Sequence, residues 1–147
     1  MQTLNYSVFI NAPREKVYKV MLEDATYREW TKAFNPTSFY KGDWSEGSKM
    51  FFVGTDEKTG EEGGMVATIT KNTPNEFVSI KHLGEWKNGA EDLWPEDKGG
   101  FENYTFIEKD GDTELKIELT NLPEEYAEMF NEMWPKALVI LKDLAEK

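Results

Sequence analysis

The chain has 147 residues, 39 % hydrophobic and 31 % charged, a composition that fits one globular domain with a sizeable core and excludes a disordered or fibrous class. Acidic residues outnumber basic ones 28 to 17, and a net charge of -11 repels phosphate backbones, so nucleic acid is not expected as a partner. With no cysteine, the chain supplies no disulfide, thiolate-bound zinc or thiol nucleophile.

Thr3 to Ile10 alternates with period two and places Leu4, Tyr6, Val8 and Ile10 on one face of a strand, with Phe9 breaking the pattern. At Asn11-Ala12-Pro13 the period changes. Proline suits a first helical turn, Glu15 falls in that turn, and Val17, Val20 and Met21 recur at helical spacing. Asp24 is placed to cap a second short helix carrying Tyr27, Trp30 and Phe34, which Asn35-Pro36 stops.

Strands are then expected over Ser38 to Lys41, Ser48 to Val53, Met65 to Thr70 and Phe77 to Trp86, with turns at Gly42-Asp43, Asp56 to Gly60 and Pro74-Asn75. Lys87 to Gly100 reads as a polar loop containing Trp94 and Pro95, either a lid or a segment folded onto the domain rim. Asp110-Gly111 joins two further strands, one with Tyr104 and Phe106, the other with Leu115, Ile117 and Leu119. Pro123 opens the last element, where Tyr126, Met129, Phe130, Met133, Trp134, Ala137, Leu138, Leu141 and Leu144 form one stripe of a long amphipathic helix. Pro135 removes an N–H from its middle and predicts a kink near Asn131 to Trp134.

The acidic stretches Glu57 to Glu62 and Glu91 to Asp97 read as solvated surface, because neither has the alternating oxygen-ligand pattern of a calcium loop. The first residues lack a basic segment before an apolar run, and no apolar stretch approaches the length of a membrane span. A cytoplasmic location without membrane insertion is the expectation.

The order strand, two short helices, about six or seven strands and a long C-terminal helix resembles the START-related, pollen-allergen-like SRPBCC superfamily. Phe9-Ile10-Asn11-Ala12-Pro13-Arg14-Glu15-Lys16-Val17-Tyr18 resembles its strand-to-helix entry, Trp30 the tryptophan closing its second helix, and Gly42-Asp43-Trp44-Ser45-Glu46-Gly47-Ser48 its glycine turn. Met133-Trp134-Pro135-Lys136-Ala137-Leu138 followed by Leu141 is similar to the Gly-Trp-x-x-x-Leu-x-x-Leu close of one branch, the homologues of the activator of the heat-shock-protein-90 ATPase. Met133 in place of that glycine, and Pro135 after the tryptophan, depart from the pattern. The resemblance implies an α+β helix-grip fold, a curved antiparallel sheet around the last helix, as one SRPBCC domain over residues 1–147.

In such a fold a ligand would occupy the gap between sheet and helix. The inward set expected to line it is Met50, Phe52, Val66, Val78, Ile80, His82, Tyr104, Phe106 and Ile117 from the sheet, with Phe130, Met133, Trp134 and Leu138 from the helix. Period two assigns faces and leaves open whether they enclose a filled core or a cavity. His82, the only histidine, reads as a core group bonded to a tyrosine such as Tyr104, as a polar anchor for a ligand, or as a general base.

The favoured function is binding of a small apolar or amphipathic molecule, as carrier or sensor. The alternatives are a stress-related or chaperone-associated domain with a protein partner, and a cyclase- or hydrolase-like enzyme. No catalytic residue, metal or cofactor is assigned, and a monomer and a dimer are both compatible with the sequence.

Overall fold

A computed structural model describes residues 2–147. The first strand, β1 (Gln2–Ile10), alternates half-buried and exposed positions along its length, leaving Phe9 in solvent and Ile10 fully buried. Pro13 precedes α1 (Arg14–Leu22), which buries Val17, Val20, Met21 and Leu22. In α2 (Asp24–Trp30), Asp24 lies inside the first turn; Glu23 holds the cap position and makes no side-chain cap bond, contrary to the expected role of Asp24. Trp30 Nε1 donates to the Met21 carbonyl at 3.0 Å, fixing the two helices to each other.

The remaining strands are β2 (Phe39–Lys41), β3 (Lys49–Thr55), β4 (Glu62–Thr73), β5 (Phe77–Lys87), β6 (Ala90–Leu93), β7 (Phe101–Lys109) and β8 (Asp112–Leu122). They form one antiparallel sheet in the order β1-β8-β7-β5-β4-β3-β2, with β6 paired to β5. The eighth strand is β6. Its hairpin turns on Asn88-Gly89, whose φ values of 47° and 85° satisfy a two-residue type I′ connection, as do Asp110 and Gly111 at 53° and 88°.

The expected polar loop is therefore half strand, and its second half, from Trp94 to Gly100, is tied to β5. Trp94 N donates to Leu83 O at 2.9 Å, a 3₁₀ turn covers Glu96–Lys98, and His82 N donates to Gly100 O at 2.9 Å. A Cβ on Gly99 would stand 2.1 Å from His82 O, so this segment lies against β5 more closely than any larger residue permits.

The last helix, α3 (Glu124–Ala145), runs through Pro135 as one element and packs against β1, α1 and α2. Ala137, Leu138, Leu141 and Ala145 join Ile10, Val17, Met21, Phe106, Leu115 and Ile117 in the core. One end of the space between sheet and helix is thereby filled, and no helix among the described residues is long and apolar enough to cross a membrane.

Candidate functional site

Toward the N-terminal end of α3 the sheet and helix diverge and leave a cavity of about 1010 Å³, at the upper end of the range of small-molecule sites. Residues of the β3–β4 hairpin, the Trp94-Pro95 segment and the start of α3 contribute to its lining. Trp134 is the aromatic hub of the inner wall, with ring centroids 5.0 Å from Phe34, 5.8 Å from Trp30, 6.2 Å from Tyr6 and 6.4 Å from Tyr104. Phe34 is in turn 6.4 Å from Phe130.

Of the residues expected from the sequence, Phe52, His82, Tyr104, Phe130 and Trp134 line this cavity. Met50, Val78, Ile80, Phe106, Ile117 and Leu138 are buried in the filled core instead, Phe106 against Tyr18 at 5.6 Å. Met133 is half-buried and stands away from the lining.

Val66, expected on the inward face, pairs with Phe51 and Gly84, while Met65 opposite Phe52 reaches the cavity. Plain alternation along β4 puts Met65 on one face with Ala67, which pairs with both Met50 and His82, and leaves Val66 on the other, so the expectation for Val66 has the wrong parity.

The residue that sequence reasoning passes over is Glu102. It shares the face of Tyr104 and Phe106 on β7, so the same alternation points it inward, against the usual reading of a carboxylate as surface. His82 Nε2 lies 3.2 Å from Glu102 Oε1, and the Tyr104 hydroxyl donates to Glu102 Oε2. His82 thus reaches Tyr104 only through the carboxylate, in place of the direct bond expected. The side chains of His82 and Glu102 are 19 % and 21 % exposed, so the pair is mostly withdrawn from water.

Burial, and then the negative charge of Glu102, push the hydroxyls of Tyr27 and Tyr104 well above the ordinary tyrosine range. Both remain neutral donors throughout the physiological range. His82 Nδ1 and Trp134 Nε1 are buried and have no hydrogen-bond partner within the protein. Two such orphans beside one cavity are unusual, because buried polar atoms are nearly always satisfied. Among the described residues no group of three or more histidines and carboxylates is placed to hold a metal ion.

An open antiparallel sheet gripping one long helix, with an aromatic chamber between them, defines the helix-grip class. The family model described as Activator of Hsp90 ATPase homolog 1-like protein matches residues 11–146, and the chain belongs to that family. No curated protein matches the sequence.

Among solved structures, the Aha1 dimer from Colwellia psychrerythraea is 23 % identical with a TM-score of 0.73, over 99 % of this chain and 97 % of that one. A protein from Nitrosomonas europaea is 16 % identical with a TM-score of 0.76, over 97 % and 92 %. DynU16, from the dynemicin biosynthetic locus, is 11 % identical with a TM-score of 0.72, over 100 % of this chain and 48 % of its own. At these identities the likeness is one of fold.

Proposed function

We propose that the protein binds a small amphipathic molecule in the sheet–helix cavity and acts as its carrier or sensor. The observation that carries this reading is the chamber of about 1010 Å³ whose aromatic wall contains the Glu102 cluster and the unpartnered nitrogens of His82 and Trp134. Aromatic surface rewards burial of an apolar body, and the polar groups reward one polar end in a fixed orientation. A structural neighbour from a biosynthetic locus is in keeping with a small-molecule role. Titration with an apolar fluorophore, together with native mass spectrometry of the purified protein, tests the reading. Saturable uptake weakened by Phe130→Asp supports it; no bound species and no dye uptake refute it.

A second reading, a partner-binding domain, is favoured by the family description and by the exposure of Tyr126, Met129 and Val139 on α3. The neighbour from Colwellia psychrerythraea is a dimer, and self-association through α3 is the simplest form of that reading. Sedimentation across a concentration series separates it from the carrier role, because cavity binding does not require a second chain. The catalytic alternative rests on the same Glu102 cluster, and loss of turnover in His82→Ala with dye uptake retained is its signature.

A further inference from the structure

We propose that the polar end of the cavity's ligand is a cation: an alkyl or aryl ammonium group on an apolar body, selected over a carboxylate-headed molecule of the same length. The inference rests on the amphipathic-ligand reading above and assigns its chemical class.

The first argument is the charge balance of the lining. Six carboxylates, Asp56, Glu61, Glu62, Glu85, Glu102 and Glu125, face two lysines, Lys87 and Lys98. Lys87 lies 3.8 Å from Glu61, so its charge is partly offset by a neighbour. An anionic headgroup entering here meets an excess of like charge, whereas an ammonium is drawn inward.

The second argument is the hydrogen-bonding polarity of the cluster in the aromatic wall. Glu102 accepts from the Tyr104 hydroxyl and lies 3.2 Å from His82 Nε2, and its side chain keeps 21 % of its surface open. A carboxylate in the lining with part of its surface open calls for a donor. An ammonium N–H supplies one, and a carboxylate headgroup supplies none.

The third is the wall itself. Phe52, with its ring 6.3 Å from His82, and Trp94 and Phe130 supply aromatic lining, which attracts cations.

The test is displacement of a bound neutral fluorophore by dodecylamine, dodecanol and dodecanoate, at low and at high salt. The amine is expected to bind at least about tenfold more tightly than dodecanoate, with dodecanol between them. That order should persist at high salt, since a charge withdrawn from solvent is screened far less than one on the surface. Glu102→Gln should bring the amine-to-dodecanol ratio close to one, while Glu108→Gln, on the same strand but outside the lining, should leave it unchanged.

Equal or tighter binding of dodecanoate overturns the inference, as does a ratio that Glu102→Gln leaves unchanged. If circular dichroism shows that Glu102→Gln does not fold, the salt series on the unaltered protein decides, and a preference erased by salt overturns the assignment to the cavity. If none of the three probes binds, the amphipathic-ligand reading itself has failed; if dodecanol binds and the amine has no advantage, that reading stands and this one falls.

Discussion

Tyr6 of β1 donates its hydroxyl to Asn131 Oδ1 of α3 at 2.6 Å, joining residues 125 positions apart at the turn where the last helix is weakest. Asn131 is the residue whose carbonyl would receive a bond from position 135, and Pro135 has no N–H to give. The Tyr6 ring also stacks on Trp134 at 6.2 Å. Tyr6→Phe is expected to keep the stack, lose the hydrogen bond and cost about 1 kcal/mol in chemical denaturation. Pro135→Ala should raise the melting temperature by restoring helix bonding, an expectation that a thermal scan checks directly.

Phe130 and Trp134 both line the cavity but should respond differently to substitution. Trp134 is 2 % exposed and contacts four other rings, so Trp134→Ala is expected to cost about 3–5 kcal/mol of stability and to confound any binding assay. Phe130 is half-buried at the edge of that cluster. Phe130→Asp should leave a cooperative unfolding transition while reducing affinity for an apolar dye by about tenfold or more.

The β3–β4 hairpin depends on a backbone-to-backbone approach at Gly64, where an added Cβ would come 1.8 Å from Phe52 O. Gly64→Ala should therefore separate strands that bear Phe52, a cavity wall residue, and destabilise by about 1–3 kcal/mol. Gly47→Ala is the contrast: nothing lies within 4 Å, and only its φ of 86° resists the methyl group. Parallel denaturation curves should rank Gly64→Ala as the worse of the two.

Acid should loosen the seam between the N-terminal segment and the last helix. The Glu146 carboxylate accepts the Asn11 N–H at 2.7 Å and pairs with Lys142, and these contacts, the Asn11 bond foremost, hold its pKa below the ordinary glutamate value. A carboxyl group with a lowered folded pKa contributes stability above its unfolded pKa and loses it as pH falls through the folded one. Glu146→Gln should melt earlier than the unaltered protein at neutral pH, and the two should converge in acid. Melting temperatures across an acid titration measure the gap.

Alkali acts on different residues. With their pKa values raised by burial first and by Glu102 second, Tyr27 and Tyr104 contribute stability below the ordinary tyrosine pKa that is lost as pH rises toward their folded values. Tyrosinate absorbance should therefore appear in two phases, exposed residues first and these two together with unfolding.

In the sequence, β1, the Asp110-Gly111 hairpin and α3 are legible because each is written in a local pattern: alternation, a turn dipeptide and a helical stripe. The same dipeptide rule applied at Asn88-Gly89 reveals β6, but the surrounding acidic residues make that stretch look like loop. Glu102 is hidden for a related reason, since its charge outweighs its parity with Tyr104. Val66 illustrates a different limit: Met65, Ala67 and Ile69 share one face of β4 and Val66 the other, and alternation alone does not say which of two partly apolar faces turns inward. Which inward residues border a void is longer-ranged still. Phe52 and Met50 share a strand and a face, and the divergence of sheet and helix alone puts the first beside the cavity and the second in filled core.

Among the described residues β1 and β2 stand at opposite ends of the strand order and do not pair, so the sheet never becomes a closed hoop. In a barrel, strand number and stagger set the bore, and a new bore demands new registers all the way round. Here the clearance depends on how one rod is seated against an open palm. A handful of substitutions along that rod would retailor the chamber for a different guest while every β-ladder stayed in place.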